Sequence, residues 1–208
     1  MTNTSAVVRV LALSGKRFVG KDTLGALLVE RARAHGITLE RVALADESKR
    51  AFVEDEARQG RHVDLARLLG DRSYKESVRP RLSRYTEDAL ARDRHVFCRR
   101  VLGRPAGPGA ALLLTDLRLA SDAAFLRAAC RSYLVRLRCD DATRQRLGWH
   151  HDPVVDTHWT ETDLDDHPDW DEVVDNPGDM VGLGLLADGV LARYVARALC
   201  ARERATPG

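Results

Sequence analysis

One junction near the start constrains this chain more than anything else in it. Residues 7–14 (VVRVLALS) form an apolar, partly β-branched run that stops at Gly15. The next residues read Gly15-Lys16-Arg17-Phe18-Val19-Gly20-Lys21-Asp22-Thr23, after which Leu24, Leu27, Leu28 and Ala32 recur at helical spacing. A continuous apolar run ended by glycine predicts a strand buried on both faces, and the spacing beyond it predicts a helix over 21–35. Strand, glycine turn and helix in direct succession open a βα unit of a parallel sheet.

The loop fits the pattern G-x-x-x-x-G-K, except that Asp22 stands where Ser or Thr is usual. Glycines let backbone N–H groups converge on phosphate oxygens, and the start of the helix adds its positive end. Lys21 then supplies a mobile cation to the β- and γ-phosphates of a nucleotide. A plain glycine turn would not need lysines. Of 33 basic residues only Lys16, Lys21, Lys49 and Lys75 are lysines, so half of them lie in this one loop.

Further strands are predicted at 40–45, 111–115, 132–138 and 172–175, with helices at 121–130 and about 179–202. Between 47 and 103 the chain reads as helical and rich in arginine, broken at Arg79-Pro80 and closed by the loop GRPAGPGA (103–110). Residues 140–170 are polar and read as a short helix plus a lid or loop. The alternation predicts an α/β, three-layer fold over a single domain 1–208, with a parallel five-stranded sheet and a helical lid. Ligands of such sheets bind beyond the carboxyl ends of the strands.

Composition excludes several classes. A net charge of +2 and 5% aromatic residues give neither the basic face nor the interleaved rings of a nucleic-acid binder. No apolar run approaches the roughly 18–20 residues of a membrane span, and MTNTSAVVRV has no signal-peptide pattern, so a cytoplasmic protein is expected. Cys98, Cys130, Cys139 and Cys200 are scattered and read as reduced, mostly buried thiols. His150, His151, His158 and His167 amid aspartates match no standard metal spacing and read as solvated loop.

Asp116 follows the apolar run ALLLT and is the natural acidic partner for Mg²⁺. Asp22 could hold the ion directly or through water, or Thr23 could if the loop register moves by one. Taken alone, Asp116 also suits a turn or a helix cap.

Beyond the loop, Tyr74-Lys75-Glu76, Phe97-Cys98-Arg99, Asp116-x-Arg118 with Ser121-Asp122, Gly148-Trp149 and Asp175-Asn176-x-Gly178 follow in one order. The chain resembles the animal-type phosphomevalonate kinases, of the nucleoside-monophosphate-kinase-like P-loop group, over nearly its whole length. The resemblance implies transfer of the γ-phosphoryl of ATP to a phosphate already on a small substrate. In that family pattern Lys16 and Lys21 would act on the ATP phosphates, within a nucleotide site of Gly15, Arg17, Gly20, Asp22 and Thr23. Asp22 and Asp116 would serve Mg²⁺, and Arg118 would bridge donor and acceptor. Lys75, Arg79 and Arg84, in the region 47–103, would grip the acceptor. Residues 140–151 would close over ATP with Arg144 and Arg146 as charge carriers and Trp149 as a packing anchor or stacking surface for adenine. Asn176 and Gly178 would line the adenine pocket through their backbone. The partner is a small phosphorylated substrate, and the chain is expected to be a monomer or weak homodimer.

The chain departs from the family pattern at Phe18, Leu119 and Leu147, where cations are usual. Either neighbouring arginines compensate, or the acceptor is another small phosphate or phosphonate. The loop is also similar to that of phage-type deoxynucleoside monophosphate kinases. A nucleotide-binding protein without catalysis is the alternative from another class, against which stand Lys21, Asp116 and Arg118 together.

Overall fold

The computed structural model describes residues 9–104, 106, 107 and 109–203, with side chains as far as Arg197. Val7, Val8, Pro105, Pro108 and the Cys200 side chain lie outside the described part. The chain divides into two compact units, one of residues 1–41 and 106–208, the other of residues 42–105.

The first unit carries β1 (Arg9–Ser14), α1 (Lys21–Ala34), β2 (Leu39–Val42), β3 (Ala111–Leu117), α6 (Ala120–Ala129), β4 (Arg131–Arg138), β5 (Glu172–Asp175) and α10 (Met180–Glu203). Three short helices, α7 (Asp141–Arg146), α8 (Pro153–Asp156) and α9 (Trp159–Thr162), fill the stretch between β4 and β5. The sheet has five strands in the order β2-β3-β1-β4-β5, with β1 parallel to β3 and β4, and β4 parallel to β5. Val10, Leu11, Ala12 and Leu13 have no exposed surface, which is why the run reads as apolar on both faces. On one face Leu24, Leu28 and Ala32 of α1 and Leu183, Ala187, Val190 and Leu191 of α10 share a core with Leu11, Leu13, Val135 and Leu137.

The second unit holds α2 (Leu44–Arg58), α3 (Leu65–Gly70), α4 (Arg72–Arg92) and α5 (Val96–Leu102). Its core forms around Phe52 with Val63, Leu68 and Val78. Asp64 and Asp71 start α3 and α4 by accepting the N–H groups of Arg67 and Tyr74, both at 3.0 Å. Buried Glu56 holds Arg61 and Arg81, and buried Glu47 holds Arg104 with Arg100 at 3.6 Å. Much of the arginine run is thus committed to internal ion pairs.

Three boundaries differ from the sequence reading. β2 stops at Val42 and Leu44 already begins α2, so the strand is shorter than 40–45. β3 continues through Leu117, which pairs with Ser14 after a register shift in β1, so Asp116 lies inside the strand. Most consequential, α4 runs unbroken through Pro80. Proline removes one ladder hydrogen bond at a cost of about 3 kcal/mol. Here Tyr74 and Val78 before it and Leu82 and Tyr85 after it pack on the same cluster around Phe52, which keeps both halves on one axis.

Candidate active site

The loop between β1 and α1 is residues 15–20, at the carboxyl end of the central strand. Gly15 has φ +146° and Gly20 φ +92°, and Phe18, at φ 61°, is the one described non-glycine residue with positive φ. A Cβ on Gly15 would lie 2.4 Å from the Leu137 carbonyl oxygen, and one on Gly20 would lie 2.7 Å from Asn176 Nδ2. Both positions therefore demand glycine for space as well as for conformation. Turns of this kind aim successive backbone N–H groups into a concavity that takes an anion. Val19, next to Phe18, is buried in the core.

Lys21 folds back over the loop, its Nζ donating to the Gly15 carbonyl and, at 2.7 Å, to that of Lys16. Burial above all, then the nearby Arg118 and Arg136, lowers its pKa from 10.5 to about 8, against the opposing pull of Glu161 and Asp22. Desolvation is thus what chiefly holds Lys21 below its ordinary value, with charges of both signs around it.

Arg136 comes from β4, in the register that sets it beside Ser14 of β1. It donates to Ser14 Oγ and to Asp165, each at 3.0 Å, and burial lowers its pKa. Lys16 pairs with the other oxygen of Asp165 at 2.6 Å. Arg118, just after β3, pairs with Glu161, whose second oxygen accepts the Arg17 N–H at 3.2 Å. The Arg17 side chain pairs with Asp156 at 2.6 Å. Lys16, Arg136 and Arg144 also line a cavity of about 540 Å³ beside the loop, with Asp165, His167 and Trp170.

The lid candidates divide. Arg144 is 7% exposed, stacks 3.9 Å over the Trp149 ring, and donates to Asp141 at 2.9 Å and to the Arg17 carbonyl at 3.3 Å. It supports the loop through that carbonyl. Trp149 is buried and its Nε1 donates to Asp156 at 3.1 Å. Arg146 is exposed and donates to Thr143 Oγ1 at 2.8 Å. Asn176 ties the turn after β5 to the loop, donating to the Val19 carbonyl and accepting the Gly178 N–H, both at 2.9 Å.

For a metal, the donor set is Asp22, exposed and paired with Arg41, together with exposed Thr23 and half-buried Asp116, which has its own interactions. One or two carboxylates with phosphate oxygens and water are what Mg²⁺ takes, so these residues fit it. Among the described residues no group of three or more His, Cys, Asp or Glu could hold a metal by itself. In the histidine and aspartate stretch, Asp152 caps α8, His158 caps α9, and Asp171 holds Arg127 at 2.6 Å.

In the second unit Lys75 is half-buried, and burial, Lys49 and Arg79 together lower its pKa. Arg79 is clamped to Glu76 on its own helix. Because α4 is continuous, Arg84 sits nine residues and about 180° around the axis from Lys75, so one face cannot present all three.

Sequence reasoning missed Arg136, Glu161, Asp165 and Lys49. A charged residue inside the otherwise buried strand SYLVRLR was the one available signal for Arg136. Lys49, paired with Asp46 at 2.7 Å, lies near enough to Lys75 to lower its pKa. Cys98 is buried, and Cys130 and Cys139 are half-buried. No described helix is long and apolar enough to cross a membrane.

A glycine loop with its lysine at the head of the central strand, ringed by arginines at the carboxyl edge of a parallel sheet, defines an ATP-dependent P-loop kinase. Residues 13–132 match the family model described as phosphomevalonate kinase. The chain belongs to the phosphomevalonate kinase family. A phosphomevalonate kinase of Drosophila melanogaster is 28% identical over 198 residues, covering 90% of this chain and 100% of that relative. Among solved structures, an APS kinase of Mycobacterium tuberculosis in complex with AMPPNP and APS is 15% identical, with a TM-score of 0.47 and coverage of 89% of this chain and 96% of the other. A gluconokinase of Sinorhizobium meliloti 1021 is 14% identical, with a TM-score of 0.45 and coverage of 93% and 96%.

Proposed function

We propose that this chain transfers the γ-phosphoryl group of ATP to the phosphate of phosphomevalonate, giving the diphosphate and ADP. An oxygen of the acceptor phosphate attacks the γ-phosphorus, the bond from that phosphorus to the β–γ bridging oxygen breaks, and ADP leaves with the electron pair. Such a transfer needs alignment and charge neutralisation more than covalent help. Lys21 and Lys16, with the N–H groups of the loop, hold the donor phosphates, and Arg118 bridges to the acceptor. Asp22, or Thr23 in its place, and Asp116 would hold Mg²⁺, which would neutralise charge on the phosphate oxygens. Arg136 supplies a cation at the site, whereas position 119 holds a buried leucine in place of an arginine.

The observation that carries the choice of acceptor is the use of lysine. All four lysines of a chain with 33 basic residues fall in two pairs: Lys16 with Lys21 in the phosphate loop, and Lys49, itself paired with Asp46 at 2.7 Å, near enough to Lys75 to lower its pKa. The first suits the donor, and we assign the second, in the helical unit 42–105, to an anionic acceptor. A nucleotide acceptor is disfavoured because the four aromatic residues of that unit are already used. Phe52 and Tyr85 pack on each other at 5.8 Å, Phe97 is buried, and the Tyr74 ring is covered by Arg67 at 4.4 Å.

The test is ADP release with Mg·ATP against phosphomevalonate, mevalonate, the common nucleoside and deoxynucleoside monophosphates, and small phosphonates. Turnover confined to phosphomevalonate is expected. Turnover of another acceptor with phosphomevalonate inert would overturn the assignment.

A further inference from the structure

We infer that Glu161 is a positioning residue of the phosphoryl-transfer site, fixing Arg118 against the backbone of the phosphate loop; this rests on the kinase reading above. Its carboxylate belongs to the one-turn helix α9, and its side chain is 8% exposed. The two oxygens serve different elements. Oε1 takes the guanidinium of Arg118, which follows β3, and Oε2 takes the N–H of Arg17 in the loop after β1. Arg118 is 42% exposed on its own account, so without such a partner its long side chain would sample many rotamers.

The carboxylate is itself anchored. Two residues on, Asp163 accepts the N–H of Ala120 at 2.7 Å, two residues beyond Arg118. Glu161 and Asp163 thus bracket residues 118–120 from one short segment, and Asp163 N–H closes the turn on the Trp159 carbonyl at 2.9 Å. Asp165 likewise engages both oxygens, with Lys16 at 2.6 Å and Arg136 at 3.0 Å, but its side chain is 34% exposed. Glu161, at 8%, is the buried carboxylate of the two, and it joins two elements of the site.

The experiment compares the full-length protein with Glu161→Gln. Glutamine keeps one carbonyl oxygen but cannot accept from both partners, and it carries no charge. Expected is a fall in kcat of about 10- to 100-fold, the usual consequence of a misplaced catalytic group. KM for ATP and Kd for AMPPNP should stay within about threefold. In an Arg118→Met background the same change should cost less than about twofold more, because the two residues act as one unit. The ¹⁵N–¹H signals of the Arg118 guanidinium should be resolved, with hindered rotation, in the unmutated protein and averaged in Glu161→Gln. Three results would overturn the inference: several-fold tighter AMPPNP binding in Glu161→Gln, which would mean the carboxylate stands where phosphate belongs; the full loss of kcat persisting without Arg118; or a freely rotating Arg118 guanidinium in the unmutated protein. The nucleotide affinity and the Arg118 signal need no acceptor. Failure of the acceptor assignment is therefore distinguishable from failure of this one.

Discussion

Replacing Gly20 by alanine tests whether the loop is held open by conformation alone or also by its neighbour across the sheet. At φ +92° and ψ 15° a Cβ costs about 1–2 kcal/mol in backbone strain. The added carbon would also stand 2.7 Å from Asn176 Nδ2. Asn176 is 6% exposed and pinned by two hydrogen bonds of 2.9 Å, so it can retreat only by giving them up. At about 0.5–1.5 kcal/mol each, those bonds bring the expected cost to about 2–5 kcal/mol. For a chain of this size that lowers Tm by about 4–20 °C. Gly36 is the internal control: its φ is +69° and nothing lies within 4 Å of a Cβ built there. Gly36→Ala bears the backbone term alone, partly offset by the stiffer unfolded chain, and should lose no more than about 6 °C. Calorimetry on the two variants decides the matter. AMPPNP affinity should fall more than tenfold in Gly20→Ala and stay unchanged in Gly36→Ala. Equal melting temperatures would refute the role given to Asn176.

Other expectations follow from the charges. Lys21, at about 8 in the nucleotide-free protein, regains its proton against bound phosphates, so AMPPNP should bind about tenfold more weakly at pH 9 than at pH 7. Titration calorimetry at pH 9 in buffers of different ionisation enthalpy should show proton uptake, and Lys21→Met should flatten the profile. Burial pushes Asp156 up, but hydrogen bonds from the Asp152 N–H, Arg17 and Trp149 outweigh it and hold the carboxyl at about 2. Its stabilisation is complete above the ordinary value of 3.8 and disappears as pH falls towards 2. Urea midpoints measured from pH 5 to pH 2 should therefore drop less steeply in Asp156→Asn, from a lower starting point. Lys75→Met should raise KM for the acceptor more than tenfold and leave KM for ATP unchanged, as steady-state kinetics with each substrate varied would show.

What the residues alone determine about this protein is local. A strand buried on both faces, two glycines five apart and a following lysine specify a phosphate loop within some fifteen residues, because burial period and backbone conformation are properties of short segments. The same reasoning finds the five strands and the last helix to within a few residues. It fails where partners are remote. Pro80 reads as a break by its own chemistry, and only packing around Phe52 on both sides keeps α4 whole. Arg136 becomes a site residue because parallel pairing of β1 and β4 sets it beside Ser14, 122 positions away. Arg144 and Trp149 read as part of one polar stretch, and only the fold stacks one on the other and brings Arg144 to the Arg17 carbonyl. Glu161 carries no signature of its own, and its role comes from meeting Arg17 and Arg118, 144 and 43 residues distant. A short segment can encode its own dihedral angles and its own hydrophobic face. Which charges meet across the carboxyl edge of the sheet is decided by strand order and register, and those exist only once the whole sheet has assembled.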